Sequence, residues 1–205
     1  MRDLGFVLVG GRLAVDFCNV PSLPATGATS ALSWEELVGF LRASRIISPE
    51  RSHELLALTE SDPKAAFDLL NRATRLRDAL RFCFHALAAR EHISRDWVIP
   101  INEILRVTEG HDELVESGRS WKIEFLARED NLDWLLAAVA RSAAELITEG
   151  ETSRIRLCAN PTCSLFFYDD SRTHRRRWCS MALCGNRHKV AAFARRHSAR
   201  RAARA

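Results

Sequence analysis

The amino-acid sequence predicts a mainly helical α+β protein with a small cysteine-rich unit near its C-terminal end. Three observations support this prediction. Apolar residues recur at helical spacing over long stretches, two segments show the pattern of β-hairpins, and four of the six cysteines lie between positions 158 and 184. A chain of 205 residues with 47% hydrophobic residues can bury one sizeable core and one small module. We therefore place an N-terminal domain at residues 1–152 and a C-terminal unit at residues 153–205, with a hinge at Gly150–Ser153.

The first predicted element is a β-hairpin. Phe6–Val9 and Arg12–Phe17 lie on either side of Gly10–Gly11, and glycine tolerates the positive φ that a two-residue turn needs. The second strand would bury one face, formed by Leu13, Val15 and Phe17. Cys18 ends this pattern, and we interpret it as a structural cysteine because no basic residue or histidine adjoins it in sequence.

Three helices are predicted next, each with a recognisable N-terminus. Ser33 with Glu36 forms a capping box, whereas Ser48–Pro49 and Asp62–Pro63 each place proline directly after an N-cap residue. The third helix should run to about Ala89, because an apolar stripe continues through Leu69, Ala73, Leu76, Leu80, Cys83 and Leu87.

A second hairpin and a last helix complete the N-terminal domain. Leu114–Val115 would pair with Ile123–Leu126 around a turn at Ser117–Gly118. A further helical stripe is formed by Leu132, Leu135, Leu136, Val139, Ala143 and Leu146. The N-terminal domain is thus predicted to be helical with β-hairpins.

Asp16 and Asn19 are the polar pair of this domain that we single out. Both lie where the first hairpin would end and point away from its apolar set. They would either line a small-molecule pocket or cap the turn and tie the hairpin to the following loop through backbone hydrogen bonds. The chain has no glycine-rich phosphate loop, no G-x-S-x-G and no H-E-x-x-H motif, and the histidines of this domain show no ligand spacing. We therefore do not expect an enzyme.

The four C-terminal cysteines have the spacing C-x4-C-x15-C-x4-C, at Cys158, Cys163, Cys179 and Cys184. Zinc binds four thiolates in a tetrahedron at about 2.3 Å, which leaves no open position, so such a site is structural. Two disulfides or four packed thiols are the alternatives, but paired cysteines in a chain that shows no secretory signal favour one zinc ion. His174 and His188 are close enough in sequence to compete as ligands, although four cysteines already complete the shell.

The residues around these cysteines predict a treble-clef-like unit. A short strand at residues 154–157 leads into the first pair, Asn160–Pro161 supplies turn chemistry, and Leu165–Tyr168 forms a second strand. Strand alternation should place Phe167 in the core and leaves Tyr168 undecided. A helix would then carry its apolar side at Leu183, Val190, Phe193 and Ala194. Metal binding would supply much of the folding free energy of so small a core, on the order of 10 kcal/mol.

The C-terminal unit resembles the bacterial CGNR zinc finger. The resemblance lies in Cys184–Arg187, in Phe167–Asp169 and in Trp178–Met181. The preceding region resembles the ABATE domain, which accompanies this finger and is described in terms of stress-induced transcription regulation. That second resemblance is carried by Leu13–Val20, which is similar to an LDFVNT-type signature with Val20 in place of the final threonine. Membership would imply zinc and, by description, DNA binding and regulation.

Charge is distributed unevenly along the chain. Residues 154–205 contain 13 Arg or Lys and 2 Asp, whereas residues 1–153 contain 17 basic and 24 acidic side chains. A cationic unit attached to an acidic domain indicates a polyanionic partner, DNA first and RNA second. Two alternatives stay open. Either the arginine content follows from genome composition together with a solvated basic end, or the unit binds an acidic protein surface, including that of its own N-terminal domain.

Candidate nucleic-acid contacts follow from the placement of the basic residues. At about 100° per residue, one arc of the last helix carries His188, Lys189, Arg195 and Arg196, and the loop before it contributes Arg175, Arg176 and Arg177. Arg187 lies nearer the apolar side of that helix. We therefore expect Asn186 and Arg187 to brace the finger, with Arg187 pairing with Asp169 or Asp170.

Two functions from different classes are consistent with these patterns. The first is a zinc-dependent, DNA-binding transcription regulator of bacteria, whose N-terminal domain senses a signal or forms a homodimer. The second is a zinc-stabilised protein-interaction or small-molecule-binding module without a nucleic-acid role. We expect a cytoplasmic protein that does not enter a membrane, because no stretch approaches about eighteen consecutive apolar residues and the cysteine usage suits a reducing compartment.

Overall fold

The computed structural model describes residues 8–20, 31–107, 110–117, 120–127, 132–148, 154–187, 189–190 and 193. Its helices and strands are, in chain order, α1 Leu13–Cys18, α2 Trp34–Ala43, α3 Pro49–Ser61, α4 Pro63–Ala89, α5 Arg95–Val107, β1 Gly110–Ser117, β2 Ser120–Ala127, α6 Trp134–Thr148, β3 Ile155–Leu157 and β4 Phe166–Tyr168. A π-helical turn follows at Met181–Gly185. β1 pairs antiparallel with β2, and β3 pairs antiparallel with β4. The prediction of a mainly helical α+β fold is confirmed.

The predicted starts of α2, α3 and α4 are confirmed, each by a side chain that accepts a backbone N–H. Ser33 Oγ accepts from the Glu36 amide at 3.2 Å, and the Glu36 carboxylate accepts from the Ser33 amide at 2.8 Å. Ser48 and Asp62 cap α3 and α4 ahead of their first-turn prolines. α4 ends where predicted, because Arg90 adopts a left-handed conformation with φ 62°.

The second hairpin and the last predicted helix of the N-terminal domain are also present. Leu114 of β1 lies opposite Ile123 of β2, as predicted, whereas Val115 pairs with Lys122 and Ser117 belongs to β1, opposite Ser120, rather than to the turn. α6 turns one apolar face into the core, formed by Leu135, Leu136, Val139, Ala140, Ala143 and Leu146.

The sequence did not predict α5, whose pattern Pro100 interrupts. Ile101 and Ile104 of this helix nevertheless belong to the main core and are buried. Burial of these side chains stabilises the helix by more than the loss of the backbone hydrogen bond that proline cannot donate.

The predicted first hairpin is wrong for residues 13–18, which form α1. Residues 6–7 lie outside the described part of the chain. The glycine pair does turn the chain, because Gly11 has φ 76°, and a Cβ on Gly10 would lie 2.7 Å from the backbone nitrogen of Asp16. The turn leads into a helix with buried residues on several sides, Ala14, Val15, Phe17 and Cys18. A short apolar run buried in this way has no periodicity that separates a strand from a helix.

Two arginines of α4 hold the C-terminal end of α1. Arg81 donates to the Cys18 carbonyl at 3.2 Å, and the buried Arg77 donates to the Val20 carbonyl at 3.3 Å and pairs with Asp78. Positive charge near a helix C-terminus stabilises carbonyls that lack a partner within the helix. Burial raises the pKa of the Cys18 thiol to about 12, so this cysteine stays protonated and packs as a small apolar residue.

α4 is the central element of the main core and contacts α1, α2, α3, α5 and α6. Its buried side includes the predicted stripe of Leu69, Ala73, Leu76, Leu80, Cys83 and Leu87. Phe17 of α1 and Phe40 of α2 meet beside it with ring centroids 5.1 Å apart. Within the described residues, no helix has the length and apolar character needed to cross a membrane.

The C-terminal unit is joined to this core by β4. Its three residues are all buried, and they alternate in direction: Phe166 and Tyr168 belong to the main core, whereas Phe167 packs in a second cluster with the cysteines. The core position of Phe167 is as predicted. The Tyr168 amide also donates to the Gly10 carbonyl at 2.7 Å, so β4 is bonded to β3 on one edge and to the N-terminal domain on the other. The predicted hinge at Gly150–Ser153 lies outside the described residues.

Candidate metal centre

Four cysteine sulfurs converge in the C-terminal unit. The Sγ atoms of Cys158, Cys163, Cys179 and Cys184 all lie within 4.8 Å of one another. The Sγ atom of Cys179 is 3.9 Å from that of Cys163 and 3.7 Å from that of Cys184. A tetrahedron of sulfurs about 2.3 Å from a central zinc ion has edges of about 3.8 Å. The four side chains therefore fit one zinc ion, with every ligand supplied by the protein.

Local turns position both cysteine pairs. In the first, the Asn160 carbonyl accepts from the Cys163 amide at 2.9 Å, and Asn160 Oδ1 accepts from the Thr162 amide at 3.3 Å, as expected of the predicted turn. In the second, the hydroxyl of Ser180 caps the π-helical turn that carries Cys184. Each pair is thus held by hydrogen bonds that do not depend on the metal.

Hydrogen bonds to sulfur link the two pairs. The Cys179 amide donates to Cys158 Sγ at 3.5 Å, and the Asn160 side chain donates to Cys184 Sγ at 3.4 Å. A hydrogen bond from Cys179 lowers the pKa of the Cys163 thiol, whereas burial raises the pKa of the Cys158 thiol. Zinc binds the thiolate form, and a bound divalent ion deprotonates its cysteine ligands.

Histidine does not join the cluster within the described residues. His174 is exposed and has φ 50°, and its ring Nδ1 lies 3.4 Å from the Asp169 carbonyl oxygen. His188 lies outside the described residues. In the part of the chain that the structure describes, the four cysteines are the only group with metal-ligand geometry. A site of four thiolates is closed to water and substrate, so its role is structural.

Two family models match this chain. A model of the CGNR zinc finger matches residues 154–197, which contain all four cysteines, and the ABATE model, described as "Putative stress-induced transcription regulator", matches residues 11–150. The chain belongs to the ABATE family. It carries the CGNR finger C-terminal to the ABATE region, and the four cysteines of that finger hold one structural zinc ion. No curated protein matches the chain significantly.

Asp169 is a buried anchor of the CGNR finger. Its carboxylate accepts from the Ser171 hydroxyl and from the Arg176 amide at 3.0 Å, and it pairs with Arg156 at 3.2 Å. Burial raises the pKa of this carboxyl, but hydrogen bonds from Ser171 and Arg176 and the charge of Arg156 outweigh burial, so the pKa lies below its usual value. Asp169 therefore braces the finger through Arg156, and the expected pairing with Arg187 is wrong.

Asn186 and Arg187 are both exposed. Within the described residues, neither side chain makes a hydrogen bond or ion pair, and Asn186 contributes its backbone N–H to the Met181 carbonyl. The expected bracing by these two side chains is thus not observed. The physical reason is that the Asp169 carboxylate is already occupied by Ser171, the Arg176 amide and Arg156.

The apolar side expected for the last helix is also not buried. Val190 and Phe193 are 69% and 58% exposed, whereas Leu183 packs against the cysteine cluster. Ala194 lies outside the described residues. The finger core is therefore completed by Phe167 and the residues around the cysteines rather than by a long helical stripe.

Arg176 lies inside the finger and is not a free cation. Its guanidinium donates to the carbonyls of Trp178, at 3.0 Å, and Cys179, and it lies over the Phe167 ring at 4.7 Å from the centroid. Asp170 is 3.7 Å from the same guanidinium. Arg176 therefore braces the finger, a role that sequence alone does not reveal in a run of three arginines. Its contact with nucleic acid stays a prediction.

Other basic side chains of the finger are exposed. Of the predicted contacts, Arg175, Arg177 and Lys189 are exposed, whereas His188, Arg195 and Arg196 lie outside the described residues. Sequence reasoning missed Arg172, which is exposed on the turn that follows Ser171. Its position beside the turn residues Asp169–Ser171 was the available signal.

Asp16 and Asn19 both serve backbone hydrogen bonds. The Asp16 carboxylate accepts from the Gly10 amide at 2.7 Å, and burial raises the pKa of this carboxyl. The Asn19 side chain is buried; it donates to the Phe166 carbonyl at 2.8 Å and accepts from the Phe166 amide at 2.8 Å. These bonds agree with the second interpretation of the pair, except that Asn19 ties α1 to β4 of the finger rather than to the loop that follows it.

Replacing Asp169 with asparagine should lower the free energy of unfolding by about 2 kcal/mol, because a buried set of charge-assisted hydrogen bonds loses its charge. The lowered pKa means that this contribution is fully present above the usual carboxyl pKa of 3.8 and is lost as the pH falls through the folded-state value.

Urea denaturation at pH 7 measures this loss, because at acid pH protonation of the thiolates would also release zinc. Asp170→Asn, at an exposed neighbour, is the matched control, and equal losses in both variants would contradict the prediction.

Proposed function

We propose that this protein is a DNA-binding transcription regulator whose zinc-stabilised CGNR finger contacts the phosphate backbone. One observation carries the proposal: the finger that contains the closed zinc site also carries several exposed basic side chains, at Arg172, Arg175, Arg177, Arg187 and Lys189. Basic side chains that neutralise phosphates release counterions, and this term supplies most non-specific affinity for nucleic acids. The ABATE region has the opposite charge balance, so the finger is the part suited to a polyanion.

The other features of the chain support the same proposal. A site closed by four thiolates has no open coordination position, which supports a protein without enzymatic activity. The description of the ABATE family supports regulation of transcription. Thiolate ligands need reducing surroundings, which supports a cytoplasmic location. We extend the proposal to a homodimer in bacteria, because one small finger contacts few bases and two copies would read two half-sites.

Fluorescence anisotropy tests this function directly. Zinc-loaded protein is titrated into labelled duplex DNA and into single-stranded RNA over a salt series. We expect affinity for duplex DNA to fall steeply, by about 0.9 log unit per log unit of salt for each phosphate neutralised. Removal of zinc with a chelator should abolish binding, because the finger loses the ion that holds its fold.

A charge-matched variant of the ABATE region provides the control. Arg42→Gln with Arg141→Gln removes two exposed arginines from α2 and α6, and this protein should bind DNA as the unmodified chain does. Tighter binding to RNA would reassign the partner. Absence of binding at low salt, or equal binding with and without zinc, would overturn the proposal.

A further inference from the structure

The segment Arg175–Arg177 alternates in exposure. Arg175 and Arg177 are exposed, whereas Arg176 between them is half-buried. This alternation is typical of an extended chain, in which side chains two positions apart point to the same side, about 6.6 Å apart. Two exposed guanidinium groups therefore flank a half-buried one in this segment.

Two backbone hydrogen bonds hold this segment. The Arg176 amide donates to the Asp169 carboxylate at 3.0 Å, and the Arg177 carbonyl accepts from the Ala159 amide at 2.8 Å. The second bond ties the segment to the turn between the first two cysteines. The backbone that carries the exposed arginines is therefore held from both halves of the finger.

The side chain of Arg176 ties the same segment to the metal centre. Its guanidinium bonds the carbonyls of Trp178 and Cys179 and covers the ring of Phe167. Cys179 is a zinc ligand, so the bond to its carbonyl links the arginine segment to the ligand shell. A planar guanidinium can reach both carbonyls at once, which the single ammonium of lysine cannot do in the same geometry.

Arg177 is further oriented by an aromatic neighbour. Its guanidinium lies over the Trp178 ring at 5.3 Å from the centroid. A cation held in this way keeps its charge and its remaining N–H donors available while it loses little conformational freedom on binding.

We propose that Arg175 and Arg177 are the principal pair of side chains with which the finger binds the phosphate groups of a nucleic-acid backbone, and that Arg176 is the positioning residue that holds them in place. This inference rests on the proposed function and names the contact within it. The parallel N–H groups of a guanidinium match the spacing of two phosphate oxygens. Two arginine side chains that are already held in position lose less conformational entropy on binding than two mobile ones.

Two double variants with equal charge loss test the pair. Arg175→Gln with Arg177→Gln should weaken duplex binding at least tenfold in about 0.1 M salt and reduce the slope against log salt by about two. Arg187→Gln with Lys189→Gln removes two exposed charges elsewhere in the finger and should weaken binding by a clearly smaller factor than the loss of Arg175 and Arg177. Zinc content and melting temperature are measured for both variants, and both should stay as in the unmodified protein.

A double-mutant cycle tests the positioning role of Arg176. Arg176→Lys keeps the net charge and should weaken DNA binding about fivefold in the unmodified background, but should have no further effect once Arg175 and Arg177 are glutamine. A general loss of finger structure would weaken binding in both backgrounds. Equal effects in the two backgrounds would therefore overturn the positioning role.

Failure of this inference and failure of the proposed function have different signatures. If the unmodified protein does not bind nucleic acid at low salt, both fail together. A different result separates them: the unmodified protein binds with a steep salt dependence, the Arg175 and Arg177 double variant binds as tightly as the unmodified protein, and the Arg187 and Lys189 double variant binds more weakly. In that case the function stands and the assignment of the pair is overturned.

Discussion

Replacement of Cys179 by serine is expected to remove zinc from the protein and to lower the thermal stability of the whole chain. Cys179 is fully buried, and its Sγ lies between those of Cys163 and Cys184 at 3.9 and 3.7 Å. A serine hydroxyl stays protonated at neutral pH and does not replace a thiolate in a structural zinc site. Zinc binding contributes about 10 kcal/mol or more to the folding of comparable small units.

The effect should extend beyond the finger, because β4 belongs to two cores. Phe167 packs beside the zinc ligands, whereas Phe166 and Tyr168 pack against the ABATE region. When the finger loses zinc, the backbone of β4 is no longer held in place, and Phe166 and Tyr168 pack less well against the ABATE region. We expect the melting temperature to fall by about 10 °C or more, since 1 kcal/mol corresponds to about 2–4 °C in a chain of this size.

Zinc per chain, measured by atomic emission, and the melting temperature check this prediction together. Cys83→Ala is the matched control, because Cys83 is a buried cysteine of α4 outside the cluster. That variant should keep one zinc ion per chain and lose about 1–2 kcal/mol through the small cavity it creates. A Cys179→Ser protein that retains zinc, or that loses zinc without a change in melting temperature, would contradict the expectation.

Asn19→Ala is the second substitution with a large expected effect, a loss of about 3 kcal/mol in the free energy of unfolding. The Asn19 side chain makes two hydrogen bonds of 2.8 Å to the backbone of Phe166, in the manner of a neighbouring strand. Alanine would leave the N–H and the C=O of Phe166 buried without these partners, and each such group costs about 1–3 kcal/mol. Asparagine at this position therefore attaches α1 to the finger.

Urea denaturation with and without zinc measures both the size and the origin of this loss. The loss should be large in the zinc-loaded protein and much smaller after chelation, because β4 no longer presents Phe166 to Asn19 once the finger has opened. Asn71→Ala, at an exposed position of α4, is the control and should change stability by less than about 0.5 kcal/mol. An equal loss from Asn19→Ala in both zinc states would show that the asparagine does not couple the two regions.

Sequence reasoning succeeded where a local interaction decides the structure. The capping box of Ser33 and Glu36 and the N-caps at Ser48 and Asp62 each involve residues within three positions. The spacing of the four cysteines predicted one metal site because each pair closes through a short turn. These features need no knowledge of the rest of the fold.

Sequence reasoning failed where distant residues decide the structure. The segment from Leu13 to Cys18 forms a helix because other elements bury it on several sides, and alternation within it carried no such information. The three arginines at 175–177 look equivalent in sequence, yet only Arg176 meets the carbonyls and the aromatic ring that withdraw it from solvent. Asn19 finds its partner 147 positions later.

The sequence by itself determined the helix starts, the second hairpin, the zinc ligands and the contrast between an acidic region and a cationic finger. All of these depend on residue type and on short spacings along the chain. The tertiary structure alone decided that the finger is built into the main core through β4, that Asp169 pairs with Arg156, and that Arg175 and Arg177 remain exposed around a half-buried Arg176. The physical reason is that burial and hydrogen-bond partners are properties of the packed chain, and a local pattern does not contain them.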